Sequence, residues 1–257
     1  MSPDPFNALN PDQTVRVLPR HLAGPGALDL HTAWPFPFDD DWHLHPADKG
    51  KVFAISPCAR LWTLFVPEPD KRNKGTWTIG VSRVPFGHLA WQIPFDATTP
   101  VELLHDVHAE LLDLYSDRDR LFEDETAPHE GYALLLGRGW SHDVKTDGTQ
   151  TFLAPEGLGG VRHRYAISGS SGPAWRAWGG YLSEPHWQAH FSFGTPTKLV
   201  AAFSASLGST EPLHRTVQDI PFHTRQHLFV ATTAAKQPPS YSPAVLPAAA
   251  PAAGQIR

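Results

Sequence analysis

The chain has 257 residues, 41% of them apolar, with 14 Phe and 9 Trp, enough to fill the core of one large domain or two small ones. A single cysteine, Cys58, argues against disulfide staples and thiolate metal sites, and no run approaches about 18 uninterrupted apolar residues, which argues against a membrane-spanning helix. The formal net charge is −5, but residues 113–130 hold seven acids and two bases, and without them acids and bases are equal in number, so a basic face is permitted.

In chain order, the opening MSPDPFNALN lacks the basic region and apolar run of a signal peptide, so the expected address is cytoplasmic, with no membrane partner. KVFAIS (51–56) and RLWTLFV (60–66) read as short strands. In TWTIGV (76–81), Trp77, Ile79 and Val81 alternate with Thr76, Thr78 and Gly80, and LAWQIPF (89–95) alternates likewise; both predict strands with one buried face. Thr99 then reads as an N-cap, with Pro100 at the first helical position and Glu102 completing a capping box. The helix that follows carries Leu103, Leu104, Val107 and Leu111 on one face. After the acidic segment, YALLLG (132–137), QTFLA (150–154) and RHRYAIS (162–168) are further strand candidates. Trp187, Ala189, Phe191 and Phe193 alternate with His186, Gln188, His190 and Ser192, and a second helix carries Leu199, Val200, Phe203 and Leu207. From residue 236 a Pro/Ala-rich tail has too little apolar variety to pack and is expected to be disordered.

These elements come twice. Trp91, Gln92, Phe95, Thr99-Pro100, Leu103 and Leu111 recur 96 residues later, and Trp42, Pro57 and Trp77 recur 98 residues later as Trp140, Pro155 and Trp175. The expected organisation is repeat unit 1 at 14–115, an acidic connector at 116–131, repeat unit 2 at 132–232 and the tail at 236–257. Each unit reads as about four antiparallel strands followed by one amphipathic helix. With 20 Gly and 26 Pro favouring turns and edge strands, the predicted class is α+β, the two repeats packed with pseudo-two-fold symmetry. The oligomeric state is left open by this pattern.

VLPRHLAGPGA (17–27), SPCARLW (56–62) and the recurring Trp, Phe, Thr-Pro and helix resemble the tandem SPDY-type domain family of high-GC Gram-positive bacteria, a family of unknown function. The sequence departs from the namesake motif: Ser56-Pro57 is followed by Cys58 where the family places an acid, and the second copy reads Ala154-Pro155-Glu156. The repeated strands and helix are also similar in topology to the Whirly and PC4-like single-strand DNA-binding proteins.

Several constellations bear on chemistry. His43 and His45 are two apart, His105 and His108 three apart, and His223 and His227 four apart, but no third ligand is fixed by spacing, and Ser141 and Asp143 replace His43 and His45 in the second unit. SGSSG (168–172) reads as a hairpin loop, not a hydrolase elbow, and GLGGVR (157–162) opens no helix that would hold a phosphate. No cofactor, metal set or catalytic group is therefore expected. What remains is basic residues interleaved with aromatics: Arg60 near Trp62; Lys71, Arg72 and Lys74 at a hairpin tip; Arg162 and Arg164 beside Tyr165; Arg176 and Trp178. Such a surface tracks phosphates and stacks unpaired bases. The expectation is a non-enzymatic nucleic-acid-binding protein, single-stranded DNA favoured. The alternatives are a protein–protein interaction module, which suits the net acidity, and a histidine-based metal enzyme.

Overall fold

Alternating large apolar and small or polar side chains make a strand that buries one face, and a helix with one apolar stripe is the natural cover for it. The computed structural model describes residues 4–27, 29–68, 75–166 and 172–231. After the first strand, β1 (Thr14–Leu18), and a one-turn helix, α1 (Leu30–Ala33), come five strands: β2 (His43–Pro46), β3 (Val52–Ile55), β4 (Leu61–Pro67), β5 (Gly75–Ser82) and β6 (Leu89–Asp96). Helix α2 (Val101–Ser116) closes the first repeat. The short α3 (Ala133–Gly137) opens the second, followed by β7 (Ser141–Val144), β8 (Thr149–Leu153), β9 (Gly159–Arg164), β10 (Trp175–Tyr181), β11 (Glu184–Phe191) and α4 (Thr197–Leu207). Two short strands, β12 (Leu213–Thr216) and β13 (Phe229–Ala231), end the described chain.

The two repeats share one antiparallel ten-stranded sheet in the order β2-β3-β4-β5-β6-β11-β10-β9-β8-β7. The order runs outward in the same way from the β6–β11 seam in both halves, as a two-fold relation requires. Each half has five strands where about four were expected; the four-residue edge strand β2 was not among the candidates in the first half, and β7 and β10 were not among those in the second. At the seam only Ala189 and Phe95 are in register, and side chains supply further bonds: Gln92 N–H donates to Ser192 Oγ at 2.8 Å and Gln188 N–H to Asp96 Oδ2 at 2.8 Å.

Helices α2 and α4 lie side by side on one face of the sheet. The alternating residues of both repeats, among them Trp77, Trp91, Phe95, Trp175, Trp187 and Phe191, join Leu103, Val107, Leu199 and Phe203 in one core. A second core, around Val15, Val17, Leu213, Ile220 and Leu228, belongs to a three-stranded sheet in which β1 pairs with β12 and β13. The first strand of the chain is thus paired with the last two described.

Two short 3-10 turns tie the repeats together in parallel ways. In the connector, Leu121 accepts the Trp91 indole N–H at 2.8 Å in the first repeat, while Asp124 accepts the first amide of α4, Thr197 N–H, at 2.7 Å in the second. In the N-terminal segment, His21 accepts the Trp187 indole N–H at 3.0 Å in the second repeat, while Pro25 accepts Val101 N–H of α2 at 3.0 Å in the first. Each segment spans both repeats.

Two local expectations fail. YALLLG is helical through Ala133–Gly137, because Ala and Leu are strong helix formers and the stretch has no β-branched residue to favour a strand. Thr99 is not the N-cap: Pro100 holds that position without a side-chain bond, Thr99 Oγ1 is buried without a partner, and Pro25 takes the amide a cap would have satisfied. Glu102 turns instead to Arg215, whose Nη1 and Nη2 donate to its two carboxylate oxygens at 2.7 and 2.6 Å. Among the described residues, no helix is long and apolar enough to cross a membrane.

Candidate nucleic-acid interface

On the face of the sheet opposite α2 and α4 the register assembles a cationic row. Arg176 on β10 stands directly opposite Arg162 on β9 and, on its other side, opposite His190 on β11. Side chains in such positions have Cβ atoms about 5 Å apart, and like charges so placed repel. Neither arginine forms an ion pair among the described residues. Arg162 Nε–H donates to Thr151 Oγ1 at 3.3 Å, and Arg176 Nε is buried without a partner.

The row is flanked by Asp96, whose carboxylate accepts Gln188 N–H, and by Gln188 Oε1, 3.3 Å from His190 Nε2. Burial pushes the Asp96 carboxyl up, against the opposing pull of the Gln188 amide and His190. Burial, and then the Arg176 charge, hold the His190 imidazole below its ordinary range despite Asp96. His190 therefore takes up its proton at lower pH than a free histidine, and the two arginines carry the permanent charge.

The other predicted residues are distributed unevenly. Arg164 lies one strand position pair beyond Arg162 on the same face of β9, close enough that a Cβ on Gly172 would meet its guanidinium at 2.7 Å. Tyr165, 49% exposed, follows the strand and donates its hydroxyl to the Lys145 carbonyl at 2.7 Å. Trp178 is only 1% exposed, so it cannot stack on a base. Its indole lies across Gly160, its direct cross-strand partner, where any side chain would collide with it. Trp62, half-buried, lies across Gly80 in the same way. The two pairs are reciprocal: at the offset of 98, Trp62 matches Gly160 and Gly80 matches Trp178. Each repeat keeps one large ring over one glycine, on opposite strands.

Arg60 stands apart from the row. It precedes β4, donates to the Arg83 carbonyl at 3.4 Å, and lies with Arg83 over the Phe122 ring of the connector at 5.6 and 5.1 Å. Strands β5, β6 and β11 separate β4 from β10, four steps of about 4.8 Å each. Lys71, Arg72 and Lys74 lie outside the described residues, as do most of SGSSG and the 236–257 tail.

The histidine pairs do not converge. His43 and His45 sit 6.0 Å apart on edge strand β2, His105 Nδ1 is bonded to the Thr32 carbonyl at 2.7 Å, and His223 stacks on His186 at 5.7 Å. Burial, then His223, hold His186 below its ordinary range. Among the described residues no group of three or more His, Cys, Asp or Glu is placed to hold a metal ion. His190 and Asp96, by contrast, join the row although the basic-aromatic pattern did not single them out.

Fold and surface define an internally duplicated α+β protein with a cationic row on the sheet face opposite α2 and α4. The family model described as SPDY, a domain of unknown function (DUF317), matches residues 55–116 and 154–213, and the chain carries two tandem SPDY domains. Each match runs through three strands and the helix that covers them, leaving the edge pairs β2–β3 and β7–β8 almost wholly outside. No curated protein and no solved structure matches the chain.

Proposed function

We propose that this is a non-enzymatic cytoplasmic protein that binds single-stranded nucleic acid, DNA foremost, across the arginine-bearing sheet face of its second repeat. The observation that carries the reading is the direct opposition of Arg162 and Arg176, neither of which forms an ion pair among the described residues. A phosphodiester seated between their guanidinium groups replaces repulsion with charge-assisted hydrogen bonds. Arg164 extends the charge along β9, and Tyr165 offers an exposed ring to a neighbouring base. Trp178 contributes as the floor that holds the arginine-bearing strands in place, not as a stacking ring.

The test is titration of labelled oligothymidine against wild type and the Arg162→Ala/Arg176→Ala double variant, at several salt concentrations. For a single strand, every phosphate that the protein no longer neutralises lowers the steepness of the log–log salt dependence by about 0.7. The expected result is a loss of at least tenfold in affinity with a slope shallower by about 1.4. Unchanged affinity and slope in a folded double variant would remove the row from the mechanism.

A further inference from the structure

A cleft of about 520 Å³ opens between the N-terminal turn, the corner joining α3 to β7, the end of α4 and β13. It shares no residue with the Arg162–Arg176 row, and its size falls within the usual range for small-molecule sites. Trp140, Leu207, Leu228 and Phe229 give it apolar walls, and Phe229 is 78% exposed.

A polar pair lines it as well. His21, only 2% exposed, bonds through Nε2 to the Glu156 carboxylate, while its Nδ1 is buried without a partner. Burial would raise the Glu156 pKa, but the His21 bond and charge outweigh it and hold the carboxyl below its usual range. Glu156 is therefore the acceptor of Nε2–H, and Nδ1 is the nitrogen left over. Trp140 packs edge-on against the imidazole at 5.6 Å. Arg138, exposed, forms no ion pair among the described residues.

The matching corner of the first repeat shows that packing alone does not require this arrangement. There the place of His21, as acceptor of the repeated tryptophan's indole N–H, is taken by Leu121, and the place of Glu156 by Cys58. Phe122 fills the space beneath Arg60 and Arg83. A buried polar pair is also a weak source of stability compared with well-packed apolar residues. The second repeat thus carries a cleft, a buried imidazole with an unused nitrogen and a guanidinium without an ion pair among the described residues, where the first has Leu121, Cys58 and Phe122.

We propose that the cleft binds a small apolar molecule bearing one acidic group, its body against Trp140 and Phe229 and its acid on Arg138. The probes are 8-anilinonaphthalene-1-sulfonate and N-phenyl-1-naphthylamine, which share an aromatic body but differ in the anionic group. Fluorescence titration of the full chain should show saturable binding of the sulfonate at one site per chain, at least tenfold tighter than the neutral amine. Arg138→Glu should weaken the sulfonate at least tenfold and leave the amine within twofold; Phe229→Ala should weaken both. Both positions are exposed, so the variants are expected to fold, and circular dichroism checks this. Absence of saturable binding, or wild-type sulfonate affinity in either variant, overturns the site; equal affinity for the two probes overturns its acidic specificity.

Discussion

Acidification from pH 7 to pH 4.5 should weaken the fold through His108 by an amount that can be worked from its surroundings. The ring lies beneath α2, fully buried, with Nδ1–H donating to the Leu104 carbonyl at 2.8 Å. Nε2, 3.1 Å from the Thr63 hydroxyl, therefore carries the lone pair and accepts from it. Both nitrogens of the neutral ring are satisfied, and burial holds the pKa at about 4, against an ordinary 6.5. Because the folded value is the lower one, this stability is fully present above pH 6.5 and is lost as the pH falls toward 4. At pH 4.5 the unfolded chain's extra proton favours unfolding by about 2 kcal/mol relative to pH 7. His163, stacked on Trp175 at 3.7 Å and likewise held by burial at about 4, adds a contribution of the same sign. Urea unfolding of wild type and His108→Gln, followed by far-UV circular dichroism at both pH values, isolates the share due to His108. The variant should start less stable at pH 7 but lose about 2 kcal/mol less on acidification. Equal acid losses in the two proteins would refute the assignment of a buried neutral ring.

Three further substitutions probe the scaffold. Gly160→Ala drives a methyl into Trp178 and to 2.9 Å from the Phe152 carbonyl, so its urea midpoint should fall clearly below wild type; an unchanged midpoint would contradict the ring-over-glycine packing. Glu102→Ala strands Arg215, whose side chain is 3% exposed, and should cost about 3–5 kcal/mol, most of it recovered in Glu102→Ala/Arg215→Met; a loss below about 1 kcal/mol would show the pair to be dispensable. Asp124→Ala removes the acceptor of the first α4 amide and should cost about 1 kcal/mol, with faster hydrogen exchange at Thr197. Unaltered exchange there would show that another group takes its place.

The parts of the fold legible in the sequence are those set by local periodicity. The two-residue alternation through Trp77, Ile79 and Val81, and its echo through Trp187, Ala189 and Phe191, marks strands whose burial follows that pattern. The duplication spacing likewise anticipates a sheet and helix used twice. Features decided by distant partners are not legible in this way. Thr99, Pro100 and Glu102 have the spacing of a capping box, yet Pro25 and Arg215 compete for the same groups from elsewhere in the chain. A run such as YALLLG has no period that separates a buried strand from a short helix.

The candidate site shows the same division. Arg162 and Arg164 are visible as cations on one face of a strand and Arg176 as a cation between tryptophans, but their alignment depends on register. Counting back from the Tyr181–Glu184 pair would set Arg176 opposite Ala189; the bulge at Gly179/Gly180, with Gly180 at φ +96°, shifts the ladder by one and brings His190 alongside. Trp178 reads as an available ring until its neighbour across the strand is known to be Gly160, which lets the indole lie flat and buried. The His21–Glu156 pair joins residues far apart in sequence, and only the N-terminal turn's seat on the second repeat brings them together.

Whether the arginine-bearing sheet face holds single strands is tested most directly by fluorescence anisotropy of labelled single-stranded DNA, duplex DNA and RNA of equal length, each titrated with the full chain at about 50 and about 200 mM salt. The expected result is saturable binding that is tightest for single-stranded DNA and falls steeply with salt. Failure to bind any of the three at the lower salt, or binding indifferent to salt, would contradict it.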